Sequence, residues 1–512
     1  MRLKMRKPKE DSTTKIVLRS TFYNFLSTFV GRIGGLVFTV VVARALFPEL
    51  FGIYNIALTI VLAIATFIDL GINSTLIRYV AESLKTRNRK SEAEARSRLA
   101  FLLKFKILLS AAASLLLFVL SNVIAVHVFH KPVLAVPLQL GSIYLFALSL
   151  QGFFSSIFYA LQKINYSVVA ETVFQVLRIA LVFAFFNIYR NVGSVFVILA
   201  ISSFVSFIFL YFAVGRNSPF LLKGKKEMPA KEKKRMLGFF GWMTVSSISF
   251  VFFANVDDFM LGIFLPAQFA GYYAAITGII GAVIGFVAFN SFLMPAFTKI
   301  EKEGMKRGFK KVFHYASMAA IPAAIGLAFV AVPLMQLIYG NAYVPSDYRF
   351  AIAVTSAILG VLVVEESLAF IYSSVFQAKE KPKIPAILIV IATVLNIALN
   401  YVFIKIGISM KPEYGLIAVA AATLITRMGN LAALAAIAKR DFNMCMDARS
   451  IFKPLAASAV MLGFLFAFSH FVSMNIWTGI LMIVLASLVY LAVMLMIKGI
   501  KKEDFKLIRM LK

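Results

Sequence analysis

"VVARALFPELFGIYNIALTI" (Val41–Ile60) is a short polar break between two long apolar runs, holding Arg44, Pro48, Glu49 and Gly52-Ile53-Tyr54. A similar stretch, "LGIFLPAQFAGYYAAITGI" (Leu261–Ile279), returns far downstream. Pro48 and Pro266 are 218 residues apart and Gly52 and Gly271 are 219 apart, so one residue is inserted between Pro and Gly in the second copy. Pro and Gly punctuate helices, which suits a hairpin turn where the chain leaves an apolar layer. A second pair lies at the same offset of 218: "VLRIAL" (Val176–Leu181) and "VLNIAL" (Val394–Leu399). Gln162 and Gln377 are read as a third pair, after helices 4 and 10. One apolar hexapeptide match is weak, but two matches at nearly one offset and at equivalent helix positions argue for an internal duplication.

The surrounding composition says what is duplicated. The chain has 512 residues, 61% hydrophobic and only 15% charged, with a mean hydropathy of +0.87. A soluble protein of this length needs far more charge to cover its surface. Apolar runs long enough to cross a bilayer core of about 30 Å recur throughout. They are unbroken, unlike the alternating segments of about ten residues in a membrane barrel. The expected fold is an all-α polytopic membrane protein of about fourteen transmembrane helices, numbered in order at 20–44, 52–72, 99–126, 136–160, 166–188, 192–214, 237–262, 266–292, 313–338, 350–376, 384–406, 414–438, 454–473 and 476–497.

Net charge is +30. With the N-terminus placed in the cytoplasm, inside segments carry 42 Lys and Arg, while outside loops carry only Lys131, Arg190, Arg349 and Lys411. This asymmetry predicts a cell-membrane protein with both termini cytoplasmic. The basic excess then reflects topology and contact with anionic lipid, with no call for nucleic acid. The single cysteine, Cys445, allows no disulfide framework and no Cys-based metal site within one chain. The basic N-terminus precedes an apolar run too long for a secretory signal, so an uncleaved first helix is expected.

The reading places an N-lobe at residues 1–214 (helices 1–6), a basic cytoplasmic linker at 215–236, a C-lobe at 237–438 (helices 7–12) and two additional C-terminal helices at 454–498. Six crossings is an even number, so the two six-helix lobes are parallel and pseudo-symmetric. This is a transporter architecture, with substrate expected in the crevice between the bundles.

Ionisable groups near a bilayer centre cost about 2.5–3.5 kcal/mol each on insertion scales, so they normally serve a cavity or one another. Arg32, within "VGRIGG", lies near mid-membrane in helix 1; Arg178 lies about as deep in helix 5, and Arg427 in helix 12. An Arg fork suits a phosphate or pyrophosphate; the plainer reading is a tie to a buried carboxylate. Asp257 and Asp258 in helix 7, and Glu365 and Glu366 in helix 10, are candidates to bind a coupling proton or Na⁺, against a plain counter-ion role. Adjacent residues on a helix point about 100° apart, so one of each pair is expected to face the cavity. Asp69 and Arg78 are read as interfacial, and Lys104 and Lys106 as snorkelling from the start of helix 3. The four histidines are scattered and suggest no metal site. No Walker A motif, no Gly-x-Ser-x-Gly and no sizeable outside loop is present, so neither a catalytic residue nor an organic cofactor is expected.

"VVARALFPELFGIYNIAL" with "DLGINSTLIRYVAE" (Asp69–Glu82), and "VLNIALNYVFI" with "EYGLIAVAAATLI" (Glu413–Ile425), resemble the Wzx-type polysaccharide-biosynthesis flippases of the multidrug/oligosaccharidyl-lipid/polysaccharide (MOP) superfamily. The resemblance covers roughly residues 15–440. It implies flipping of a polyisoprenyl-(pyro)phosphate-linked oligosaccharide from the cytoplasmic to the outer leaflet by alternating access, driven by an ion gradient. It also implies a cationic cavity, which fits Arg32, Arg178 and Arg427. The partners implied are the lipid-linked oligosaccharide and membrane lipids, with glycan-assembly enzymes nearby and the protein acting as a monomer. The alternatives are a drug/cation antiporter of the same superfamily and a non-transporting scaffold for glycan assembly. A scaffold needs no charge at mid-membrane.

Overall fold

The computed structural model describes residues 10–84, 89–221, 228–287, 302–444, 447–472 and 475–499. Cys445 and residues 222–227 of the basic linker lie outside them. The described residues form helices and turns, with no strand.

The first helix, α1 (Glu10–Ser83), is two helices joined at a kink. Phe47 sits at φ 58°, ψ 168° immediately before Pro48. Proline removes a helical N–H and disfavours helical geometry in the residue before it. Helices α2 (Arg89–Val123), α3 (Ala135–Ala160), α4 (Asn165–Phe186), α5 (Val192–Asn217), α6 (Ala230–Phe264) and α7 (Ala267–Val287) follow. After them come α8 (Lys302–Tyr339), α9 (Arg349–Gly360), α10 (Leu362–Ala378), α11 (Lys383–Met410), α12 (Tyr414–Phe442), α13 (Arg449–Phe471) and α14 (Ile476–Met496). Twelve stretches are long and apolar enough to span a membrane. With α1 counted twice for its kink, and the 35-residue α6 added, the fourteen expected crossings are all present.

Helix ends differ from the sequence reading in an informative way. Helices expected to begin at residues 99 and 313 begin at Arg89 and Lys302. Hydropathy registers only the apolar part of a helix, and these two continue into the basic face. The helix expected at 350–376 is two, α9 and α10, separated by a tight turn at Val361.

Two compact units are present. Unit 1 comprises Met1–Leu46 and Ile53–Phe252; unit 2 comprises Phe47–Gly52 and Phe253–Lys512. In unit 1, α3 packs along α5. Ser142, Ser149 and Ser156 on α3 and Ser202, Ser203 and Ser206 on α5 are all buried. Small residues let helix backbones approach where lipid supplies no hydrophobic drive to associate. An apolar cluster including Ile72, Leu76, Phe153, Phe158 and Leu210 fills the basic end of the unit. In unit 2, Phe309, Phe313, Tyr372, Phe376 and Leu431 form the corresponding cluster. The last two helices attach to α8 through Val330, Met461, Leu465, Met482 and Tyr490. Tyr490 Oη donates to Met318 O at 2.7 Å. His314 joins Ser450 Oγ (3.2 Å) and Gly499 O (3.0 Å) to the same helix.

The duplication is visible in backbone detail. At the end of α3, Gln162 adopts φ 57° and Lys163 N–H donates to Phe158 O at 2.9 Å. At the end of α10, Glu380 adopts φ 57° and Lys381 N–H donates to Phe376 O at 2.9 Å. Both are left-handed helix stops closed by a six-residue hydrogen bond, and every position is displaced by 218. The counterpart of Gln162 is therefore Glu380 and not Gln377, which corrects the third pairing above.

The twin hairpins meet within unit 2. A side chain on Gly52 would overlap the Ala267 carbonyl, and one on Gly271 would overlap the Pro48 carbonyl. The contact is reciprocal: each glycine receives the backbone four residues before the other.

Candidate functional site

Unit 1 carries a cationic centre. Gly31, Gly34 and Gly35 of α1 receive Glu171, Gln175 and Arg178, which follow one another on one face of α4. A Cβ on Gly34 would come 2.8 Å from that of Gln175, so the glycines of "VGRIGG" provide room for a polar stripe. Gln175 Nε2 donates to Glu171 Oε1 at 2.6 Å. The Arg178 guanidinium lies over the Phe38 ring at 4.4 Å and the Phe174 ring at 4.9 Å. Its Nε is buried without a hydrogen-bond partner. Tyr54, Tyr144 and Glu171 are within electrostatic reach. Among the described residues, no carboxylate lies within 4.0 Å of Arg178. Arg32, on the same glycine-rich stretch, is exposed and likewise forms no ion pair among the described residues.

Unit 1 also holds an ion pair that sequence reading placed at the interface, with its lysine buried and its aspartate partly exposed. Lys106 is fully buried and ion-paired with Asp69, whose Oδ1 also accepts from Ser149 Oγ at 3.2 Å. Lys106 does not snorkel, because α2 begins ten residues earlier than its apolar run and carries Lys106 to mid-helix.

Unit 2 carries an anionic centre. Asp257 accepts from Tyr273 Oη (2.5 Å), Thr423 Oγ1 (2.6 Å) and Asn400 Nδ2 (3.2 Å). Asn400 also donates to Asn396 Oδ1 (3.1 Å), and Asn396 to Thr423 and Thr426 hydroxyls (3.2 and 3.0 Å). Asn400 Oδ1 is buried with no donor. Among the described residues, no Lys, Arg or His lies within 4.0 Å of Asp257. Asp258 is within electrostatic reach of Tyr273. Arg427 approaches Glu365 at 3.7 Å and Glu366 at 3.9 Å, and lies 4.9 Å from the Phe253 ring centre. Glu365 is buried and Glu366 exposed, as adjacent positions on a helix point about 100° apart.

The structure thus gathers Asp257 with uncharged residues that sequence reading passed over: Asn396, Asn400, Thr423 and Thr426. The available signal was "NIALN" (Asn396–Asn400), two amides one turn apart in a helix that is otherwise apolar. The duplication held a second signal, since Asn396 stands 218 residues after Arg178.

A family model described as polysaccharide biosynthesis protein matches residues 17–301, more than half of the chain. The chain belongs to the polysaccharide biosynthesis protein family. A second model, lipid II flippase MurJ, matches residues 220–490. A relative described as the probable low-salt glycan biosynthesis flippase Agl15 of Haloferax volcanii is 23% identical over 288 residues, 55% of this chain. That match spans 58% of the relative's length. Among solved structures, lipid II flippase MurJ in an inward closed conformation aligns with a TM-score of 0.74 at 18% identity, over 92% of this chain and 98% of that one. An inward-facing multidrug resistance MATE family transporter of the MOP superfamily aligns at 0.59 and 15% identity, over 82% and 96%. At these identities the likeness shows the fold. This member of the polysaccharide biosynthesis family is a multi-pass membrane protein with the fold that those two solved structures share.

Proposed function

We propose that the chain flips a polyisoprenyl-(pyro)phosphate-linked oligosaccharide from the cytoplasmic to the outer leaflet by alternating access, with both termini in the cytoplasm. The carrying observation is the Arg178 guanidinium: it lies deep in a membrane helix, faced by two aromatic rings, and no carboxylate lies within 4.0 Å of it among the described residues. A fixed cation so placed calls for an anion, and a guanidinium meets a phosphate through two parallel hydrogen bonds. Arg32, exposed beside Gly31 in the same glycine-rich stretch, supplies the second fork. The glycan-flippase description of the Haloferax volcanii relative supports the same substrate class.

In this reading the driving ion enters at Asp257. One carboxylate, the unpartnered Asn400 Oδ1 and the Thr423 hydroxyl form a hard-oxygen set of single negative charge, which suits Na⁺. Asp258 adds negative potential beside it. Glu365 and Glu366 hold Arg427, and protonation of these two carboxylates would free that guanidinium for substrate.

The test is a leaflet-specific assay of labelled lipid-linked sugar in vesicles. Arg178→Gln should lower transport by about two orders of magnitude while the protein stays folded at wild-type membrane levels. Arg178→Lys should recover part of it. Undiminished transport by Arg178→Gln, or by Arg32→Ala, removes that residue from the substrate site.

A further inference from the structure

Unit 2 holds an apolar groove of about 510 Å³ where α11 ends and α12 begins. Phe403, Ile406 and Met410 of α11, Ile417 of α12 and Phe350 of α9 line it. The groove is possible because position 407 is glycine: a Cβ there would come 2.8 Å from the Tyr414 carbonyl, so α11 lies directly on the first turn of α12. Phe350, Ile406 and Met410 are each more than half exposed, so the groove opens to the surroundings of the helices. Around membrane-spanning helices those surroundings are lipid chains.

Its rim is what distinguishes it. In sequence, the loops expected outside carry only Lys131, Arg190, Arg349 and Lys411, against 42 basic residues in the segments expected inside. Two of those four flank this groove. Arg349 adjoins Phe350, and Lys411 adjoins Met410. Arg349 is exposed and has no ion pair among the described residues, while Lys411 reaches only to 4.0 Å from Glu413. A third cation, Lys405, lies on the exposed side of α11, over the Tyr401 ring at 4.5 Å. Cations retained among loops that otherwise lack them, at the mouth of an apolar groove, complement an amphiphile with an anionic head and a hydrocarbon tail.

We propose that this groove binds one acyl chain of an anionic phospholipid of the adjacent leaflet, whose phosphate is held by Arg349 and Lys411. The assignment does not depend on the transport reading, since none of these residues belongs to the polar centres of either unit.

The test uses the full chain in bilayers, with Trp242 and Trp477 replaced by Phe and a single reporter introduced as Phe350→Trp. Brominated phosphatidylglycerol should quench this reporter more effectively than brominated phosphatidylcholine at equal mole fraction. The expected preference is about fivefold per rim cation, the attraction of one Lys or Arg near an anionic surface. Arg349→Gln with Lys411→Gln should bring the preference close to one. A reporter at Val119, a lipid-exposed position near the end of α2, should show no preference in either background. Equal quenching by the two lipids at position 350, or the same preference at position 119, overturns the proposal. Relief of quenching by unbrominated polyprenyl phosphate at mole fractions well below those of phosphatidylglycerol would also overturn it, by making the carrier lipid the occupant.

Discussion

Phe47 occupies a region of backbone space, φ 58° with ψ 168°, that is close to exclusive to glycine. Its side chain is largely exposed, so little packing compensates. Such a conformation costs about 1–3 kcal/mol, whereas glycine adds about 0.5–1 kcal/mol of chain entropy. Phe47→Gly should therefore stabilise the protein by about 1 kcal/mol, seen as a higher melting temperature in detergent; a lower one would show that the Phe47 ring contributes more than the strain removes. Asp257 is the second residue with a clear expectation. If its carboxylate holds Na⁺, replacing choline chloride with NaCl should raise the melting temperature of the wild type. Asp257→Asn should abolish that increment while keeping the hydrogen bonds from Thr423 and Asn400. An equal increment in both proteins would move the ion elsewhere. Lys106 and Asp69 make a third case. Removing one partner of a buried pair leaves an uncompensated charge and costs about 3–5 kcal/mol, whereas removing both is often near neutral. Lys106→Met should sharply reduce folded yield, and Lys106→Met with Asp69→Leu should restore most of it. No recovery in the double variant would point to a role for the carboxylate beyond the pair.

At the scale of elements, the glycine contacts set how closely helices approach. Gly271 receives the Pro48 carbonyl, an atom that cannot turn aside as a flexible side chain can. Overpacking an ordinary core position costs about 1–3 kcal/mol. Gly271→Val should exceed that range, with loss of monodisperse protein on gel filtration. Gly429→Val, where a Cβ meets open space, should elute as wild type. Helix number, hairpin repetition and duplication were all legible in the sequence, because each depends on hydropathy and on Pro and Gly, which act locally. What was not legible depends on rotation about a helix axis. Lys106 looked interfacial because its helix was read from the start of its apolar run, and the polar stretch from Arg89 to Arg98 hid the true beginning. Gln377 seemed to match Gln162 because residue identity is a poorer guide to equivalence than backbone geometry. Asn396, Asn400, Thr423 and Thr426 carry no charge, so a search for costly groups in the membrane could not single them out. Arg178 and Arg427 looked alike in sequence, yet one faces aromatic rings and the other two carboxylates.

For the whole molecule, duplication has produced two units of one plan with opposite polarity. Arg178 and Asn396 stand at equivalent positions, as do Tyr54 and Tyr273. The first tyrosine lies near a guanidinium and the second donates to a carboxylate. Among the described residues, Arg178 in one unit has no carboxylate within 4.0 Å and Asp257 in the other has no basic group within 4.0 Å; under the proposed function the first would meet the anionic substrate and the second the driving cation.

The twin turns also bear on how the protein is made. Pro48 and Gly52 leave the ribosome well before the backbone they fit against, Ala267 to Gly271, which is some 219 residues behind them. At about 5–20 residues per second, the early turn waits roughly 10–40 seconds before its mate exists. During that interval Phe51, which is buried in the finished protein, remains uncovered. Assembly of unit 2 is thus completed by a segment made long before the rest of that unit, and premature release before α7 should leave that segment as the point at which quality control recognises an unfinished protein.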